Sequence, residues 1–254
     1  MPFHTDRPRR ERILVFGPPK CHKTRCWADI VQIILNTQTD SKIYALDTDY
    51  RAPQSLEHID IWEKCVDLRQ PQEWDELQED TDYILKTGGK DDWLVIDQAD
   101  QPWGYVQAYY IEQIMGKKPH QFFFDFKKGG GRGNPMAGAY GENWNIINQM
   151  YRDWMVRQVL RFKGHVLAVA KSEPIGEGDE ALARKYFGPY GVKPRGQKDL
   201  GYQFDSILLT KFGRTGNDYQ LTTVGDTNRA KLDEQPLNDF AVEYLVKIAG
   251  WKIV

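Results

Sequence analysis

The chain has 254 residues, 34 of them basic and 36 acidic for a formal charge of −2, with 41% apolar and 28% charged side chains. That length sets one large domain or two small ones, and 8 Trp, 13 Tyr and 11 Phe supply enough core material to exclude wholesale disorder. The near-neutral balance excludes a histone-like polycation. Three cysteines, Cys21, Cys26 and Cys65, are too few and too odd in number for a disulfide framework. No run approaches about 18 apolar residues, so no membrane span is expected. The basic, polar start MPFHTDRPRRER lacks the apolar stretch of a secretory signal, and the expected location is the cytoplasm.

Residues 1–11 read as a polar arm. Ile13-Leu14-Val15-Phe16 is a short apolar run stopped by Gly17-Pro18-Pro19, the pattern of a buried strand. From Lys23 the period turns helical, with Trp27, Ile30, Val31 and Ile34 on one face. A polar turn over 36–41 leads to a second strand, Ile43 to Leu46, which ends in Asp47-Thr48-Asp49. Ile59 to Leu68 adds a short strand, and Gln72 to Leu85 reads as an exposed acidic helix. Trp93-Leu94-Val95-Ile96 is the next strand and stops at Asp97; Trp103 to Met115 is helical.

Periodicity breaks over 125–143, a glycine-rich stretch long enough to be either functional or disordered. Trp144 to Phe162 is an amphipathic helix with Ile147, Met150, Trp154 and Val159 among its apolar positions, and Val166 to Ala170 is another buried strand. Residues 173–203 form a second irregular stretch. Ile207 to Leu209 and Tyr219 to Val224 predict two late antiparallel strands across Gly213-Arg214-Thr215-Gly216. Leu237 to Ile248 closes the chain as a helix. Strands alternating with helices predict an α/β fold with a mostly parallel sheet. The expected organisation is the arm 1–11, one core over 12–232, and a C-terminal helical segment, 233–254, packed on it.

Gly17-Pro18-Pro19-Lys20-Cys21-His22-Lys23-Thr24 lies between a predicted strand and a predicted helix, the setting of a phosphate-binding loop of the form G-x-x-x-x-G-K-[ST]. The chemistry needs a tight turn whose N–H groups surround phosphate, and a helix N-terminus aimed at the anion. Lys23 would reach the β- and γ-phosphates, Thr24 would ligate Mg²⁺, and Arg25 follows on the helix. His22 stands where the pattern has its second glycine. It either fits a shifted loop or weakens nucleotide binding. Leu94-Val95-Ile96-Asp97, an apolar strand ending in a carboxylate downstream of such a loop, is the second half of the signature, with Asp97 holding Mg²⁺ through water. Cys21, His22 and Cys26 lack the second ligand pair of a zinc site.

With these motifs the chain resembles RecA-like P-loop ATPases, and in particular the small phage-encoded nucleotide-binding proteins of that class, some of which are single-strand annealing or recombination ATPases. The resemblance covers residues 12–232 through element order. It implies a RecA-like core, ATP and Mg²⁺ as cofactors, and a homo-oligomer, ring or filament, in the cytoplasm of a host cell if phage-encoded. It also implies a carboxylate that activates water at the end of the second strand, for which Asp49 is the best placed; a turn or helix cap is the alternative for Asp47 and Asp49. Lys171 or Ser172 would be the polar sensor at the end of the strand after the long helix.

The two irregular stretches fall where that family contacts single-stranded DNA. The first offers Lys127, Lys128 and Arg132. The second, 184–198, offers Arg184, Lys185, Lys193, Arg195 and Lys198, with Tyr186, Phe187 and Tyr190 as faces for base stacking or, alternatively, as core. Arg229, with Lys231 nearby, would reach a neighbouring subunit's nucleotide. The leading functional expectation is an ATPase acting on DNA in recombination or strand annealing. The competing ones are a packaging, helicase-type or loader motor, a non-catalytic nucleotide-binding or scaffolding module with a degenerate loop, and a small-molecule kinase.

Overall fold

The computed structural model describes residues 10–133, 142–212, 219–227, 235–236 and 240–251. Five strands, β1 (Arg12–Gly17), β2 (Ile43–Asp47), β3 (Val66–Arg69), β4 (Trp93–Asp97) and β5 (His165–Pro174), are parallel, and β7 (Ser206–Phe212) joins them in the order β3-β2-β4-β5-β1-β7. β8 (Tyr219–Asp226) pairs antiparallel with β7, and β9 (Gln235–Pro236) antiparallel with β8. β6 (Val192–Pro194) pairs antiparallel with the far end of β5. The expected α/β class, the mostly parallel sheet and the late antiparallel pair are all present.

The strands read as unbroken apolar runs because both faces of the sheet are covered. Ile13, Val15, Ile43, Ala45, Trp93, Val95, Leu167 and Val169 face one layer, formed by α1 (Arg25–Thr37), α2 (Ala52–Leu56) and the closing segment with Phe240, Tyr244 and Trp251. The alternate residues, Leu14, Phe16, Tyr44, Leu46, Leu94, Ile96, Val166 and Ala168, face the other layer. That layer is α3 (Trp74–Thr87), α4 (Gln101–Met115) and α6 (Glu142–Arg152). Period-2 alternation along the strands sorts the side chains between the two layers. Gly17 ends β1 against β7. A Cβ there would stand 2.3 Å from the Thr210 carbonyl oxygen, so only glycine permits that approach.

The structure corrects several boundaries. The arm ends before residue 11: Glu11 is buried, and its carboxylate accepts from the Trp251 indole N–H at 3.1 Å. The acidic helix is α3, and it is not wholly exposed. Trp74, Leu77 and Ile84 are buried beneath its charged face. The first irregular stretch begins later than expected, because α5 (Pro119–Lys128) carries the chain through Lys128; residues 134–141 lie outside the described residues. The second holds α7 (Ala181–Phe187), a single 3₁₀ turn at Gly188–Tyr190, and β6. These pieces are too short for a periodic signal to emerge. α6 does not run intact to Phe162. It passes into π-helical winding at Asp153–Gln158 and a 3₁₀ turn at Val159–Arg161. Ala241–Val246 in the closing segment is also π-wound.

Candidate nucleotide site

Parallel register brings the C-terminal ends of β1, β2, β4 and β5 together. Asp47 lies level with Asp97, Asp97 with Val169, and Gly17 with Lys171. This edge of an open parallel sheet is where loops and helix N-termini converge on a ligand. β5 stands between β1 and β4, so the Gly17–Thr24 loop and Asp97 approach each other across the end of one strand.

The loop turns on two left-handed residues, Lys20 (φ 63°) and His22 (φ 52°). His22 therefore occupies a conformation that glycine adopts without strain, as the motif requires at that position. Its imidazole is exposed and packs on the Tyr219 ring, with centroids 3.9 Å apart, and Tyr219 in turn neighbours Phe212 at 5.8 Å. Partial desolvation beneath the Tyr219 ring, with Arg25 nearby, pushes the imidazole pKa down. Lys23 is buried, and its ammonium donates to the Pro18 carbonyl at 2.8 Å. Burial pulls its pKa below the usual lysine range, opposed by Cys21, Asp97 and Asp100. Pro18, Pro19 and Cys21 complete the turn, and Arg25 opens α1, 3.6 Å from Asp29. The first N–H groups of α1 donate to carbonyls of the loop's last residues: Arg25 to His22 at 3.1 Å, Cys26 to Lys23 at 3.0 Å, and Trp27 and Ala28 to Thr24 at 3.2 Å each.

Thr24 is the N-cap of α1 yet makes no side-chain capping bond. It faces the Asp97 carboxylate instead, where it favours the ionised form. Asp97 is 2% exposed. Its Oδ2 accepts from the Trp27 indole at 2.9 Å, while Oδ1 has no partner among the described residues. Burial is the main force raising its pKa to about 6, with Asp49 and Asp47 adding to it. A buried carboxylate with one orphan oxygen, a threonine hydroxyl beside it and a lysine close by is a donor set short of a cation. It fits Mg²⁺, which takes one or two protein oxygens and completes its shell with water and phosphate. Among the described residues no group of three or more His, Cys, Asp or Glu could hold a metal, so an ion here would depend on a bound phosphate.

Asp47 and Asp49 differ in their partners. Asp47 accepts from the N–H groups of Arg51 (3.3 Å) and Ala52 (3.0 Å) and from the Gln70 amide (2.9 Å), which makes it the cap of α2. Asp49 accepts from the Gln98 amide at 3.1 Å and lies 4.0 Å from Arg51. Burial and then Asp47 raise its pKa. Gln98 is itself locked by reciprocal bonds with Thr48, each 2.9 Å. The Lys171 N–H donates to Asp100 at 3.3 Å, and its charge is felt by Asp49. Ser172 lies one residue further on, paired with Pro194 in the β5–β6 ladder.

The expected DNA contacts fare unevenly. Lys193 is pinned between Asp179 and Glu173, the latter at 3.1 Å, and Lys198 is paired with Glu180 at 2.9 Å. Phe187 is buried, while Tyr186 and Tyr190 pack half-buried on the core, so this segment's rings are structural and not free faces. Arg184, Lys185 and Arg195 are exposed. Lys127 and Lys128 are exposed on the last turn of α5, and Arg132 follows it. Arg229 and Lys231 lie outside the described residues.

Four site residues were missed in the sequence: Trp27, Gln98, Asp100 and Tyr219. Trp27 has a signal only in hindsight, since a residue one helical turn beyond Lys23 faces the same way. The others are brought in by tertiary contact. No protein-family model and no curated protein matches the chain.

Proposed function

We propose that the chain is a RecA-like P-loop ATPase that binds Mg-ATP at the Gly17–Thr24 loop and couples its hydrolysis to single-stranded DNA. One observation carries the reading: Lys23, Thr24 and a buried Asp97 with an orphan oxygen converge at the C-terminal edge of the sheet, against a helix N-terminus. The insertion of β5 between the loop strand and the Asp97 strand supports it.

Phosphate would displace the Pro18 carbonyl as the partner of Lys23, and loop N–H groups would donate to the remaining anionic oxygens. Thr24 and Asp97 would hold the magnesium ion, whose charge neutralises the phosphates. Asp49, held by Gln98, would orient the attacking water, and its raised pKa suits a proton acceptor. Lys171 would sense the terminal phosphate at the end of β5. Arg229 would act in trans in a homo-oligomer, and recombination or strand annealing is the process this chemistry serves.

The test is Mg²⁺-dependent ATP hydrolysis with and without single-stranded DNA. Wild-type turnover should rise with DNA, and Lys23→Ala should lower turnover at least a hundredfold. Full turnover in Lys23→Ala would remove the loop from the mechanism. A second reading, a nucleotide-binding module without turnover, is favoured by the two left-handed side chains of the loop and by the Lys23–Pro18 contact.

A further inference from the structure

Helix α5 has no buried residue, although it carries four phenylalanines in Phe122, Phe123, Phe124 and Phe126. Phe122 and Phe126 turn toward the molecule: both are half-buried, Phe122 packs against the core, and the Phe126 ring lies against Gly131. Phe123 and Phe124 do not; they are 41% and 62% exposed. At about 3.6 residues per turn, the outer face runs Phe123, Lys127, His120, Phe124, Lys128 through roughly 140° of arc. Basic groups therefore separate and flank the two rings. The helix's one carboxylate, Asp125, sits off this arc, held by Lys117 at 2.7 Å and Gln121 at 2.8 Å. Among the described residues, Lys127, Lys128 and His120 are in no ion pair.

We propose that this face of α5 binds single-stranded DNA, with Phe123 and Phe124 stacking on bases and Lys127, Lys128 and His120 on the phosphates between them. The choice of partner rests on the DNA reading above; the surface does not. Its cations call for a polyanion, and its separated rings call for planar apolar groups spaced between charges. A duplex keeps its bases stacked on one another and offers the rings nothing. A bilayer is disfavoured, because an interfacial helix needs an unbroken apolar face, and here Lys127 and His120 stand between the two rings.

Binding of a fluorescein-labelled oligo(dT) of about 30 nucleotides, followed by anisotropy across a salt series, tests this on the full chain. Stacking of roughly 1–3 kcal/mol per base predicts at least a tenfold loss of affinity in Phe123→Ala/Phe124→Ala, with an unchanged salt slope. Lys127→Ala/Lys128→Ala should reduce the slope of log K against log salt by about 1.4, two contacts at about 0.7 each. All four positions are exposed, so thermal midpoints should stay at the wild-type value and report that the variants are folded. Wild-type affinity in both double variants would overturn the assignment of α5 while leaving the DNA reading intact. No oligo(dT) binding by the wild type would overturn both. Equal affinity for a matched duplex would overturn the stacking role. Retention of oligo(dT) binding by the phenylalanine variant, with loss of binding to phosphatidylserine vesicles, would assign the face to a membrane.

Discussion

His22 shows how a departure from a motif is accommodated one side chain at a time. A non-glycine residue at φ 52° carries strain of order 1 kcal/mol. The ring contact with Tyr219 offsets it, since close aromatic pairs contribute about 0.5–1.5 kcal/mol beyond their burial. The two residues should therefore be coupled. A double-mutant cycle with His22→Gly and Tyr219→Ala, read by urea unfolding, should give a coupling energy in that same range of about 0.5–1.5 kcal/mol. Tyr219→Ala alone should destabilise the protein, and His22→Gly alone should be nearly neutral, as relief of strain balances loss of the contact. The same His22→Gly variant separates the two functional readings. A large gain in ATP turnover would mean that the native loop is impaired, and unchanged turnover in an active enzyme would remove the non-catalytic reading. The sequence exposed His22 as an anomaly because its neighbours match the motif. Tyr219 carried no local mark, since its role exists only when β8 is laid beside the loop.

Among the elements, legibility follows burial. β1, β2, β4 and β5 are apolar on both faces, so each stands out as an unbroken run, and α1 announces itself by a full apolar stripe. α5 and α7 bury little or nothing and left no stripe to find, although their ends are well supplied with charge. The short α2 was also invisible, and it depends on a residue that the motif reading left ambiguous. Asp47 receives two backbone N–H groups at its start. Asp47→Ala should lower stability by about 1 kcal/mol through loss of that cap. Asp49→Asn should leave stability within about 0.5 kcal/mol, keep ATP affinity, and slow hydrolysis at least tenfold. Chemical denaturation and ATP titration of the two variants resolve the pair. Equal loss of binding and turnover in Asp49→Asn would move Asp49 out of the catalytic role.

At the scale of the whole molecule, the alternation of strands and helices was enough to assign an α/β class. The strand order was not readable, because it is set by how the helices cross between layers and no residue pattern records it. The sheet edge opposite the Gly17–Thr24 loop shows the consequence. His165, at the start of β5, clusters with Trp93 and Trp251, its ring tilted to the first and edge-on to the second with centroids 4.8 Å from each, and its Nδ1 accepts the Glu11 N–H at 3.1 Å. One imidazole thus ties the first described residues, the sheet and the closing segment together. Burial, and then Arg12 and Arg10, push its pKa down to about 3 from an ordinary 6.5. The folded protein therefore binds fewer protons here than the unfolded chain between those values. Its stability contribution is complete above pH 6.5 and is lost as the pH falls toward 3, with a slope approaching 1.4 kcal/mol per pH unit in that window. His165→Asn keeps an acceptor for Glu11 but removes the titration. The stability difference between wild type and His165→Asn, measured by urea unfolding from pH 7.5 to 4.5, should be flat above pH 7 and move steadily against the wild type below about pH 6. A difference independent of pH would mean that the proton reaches His165 in the folded state.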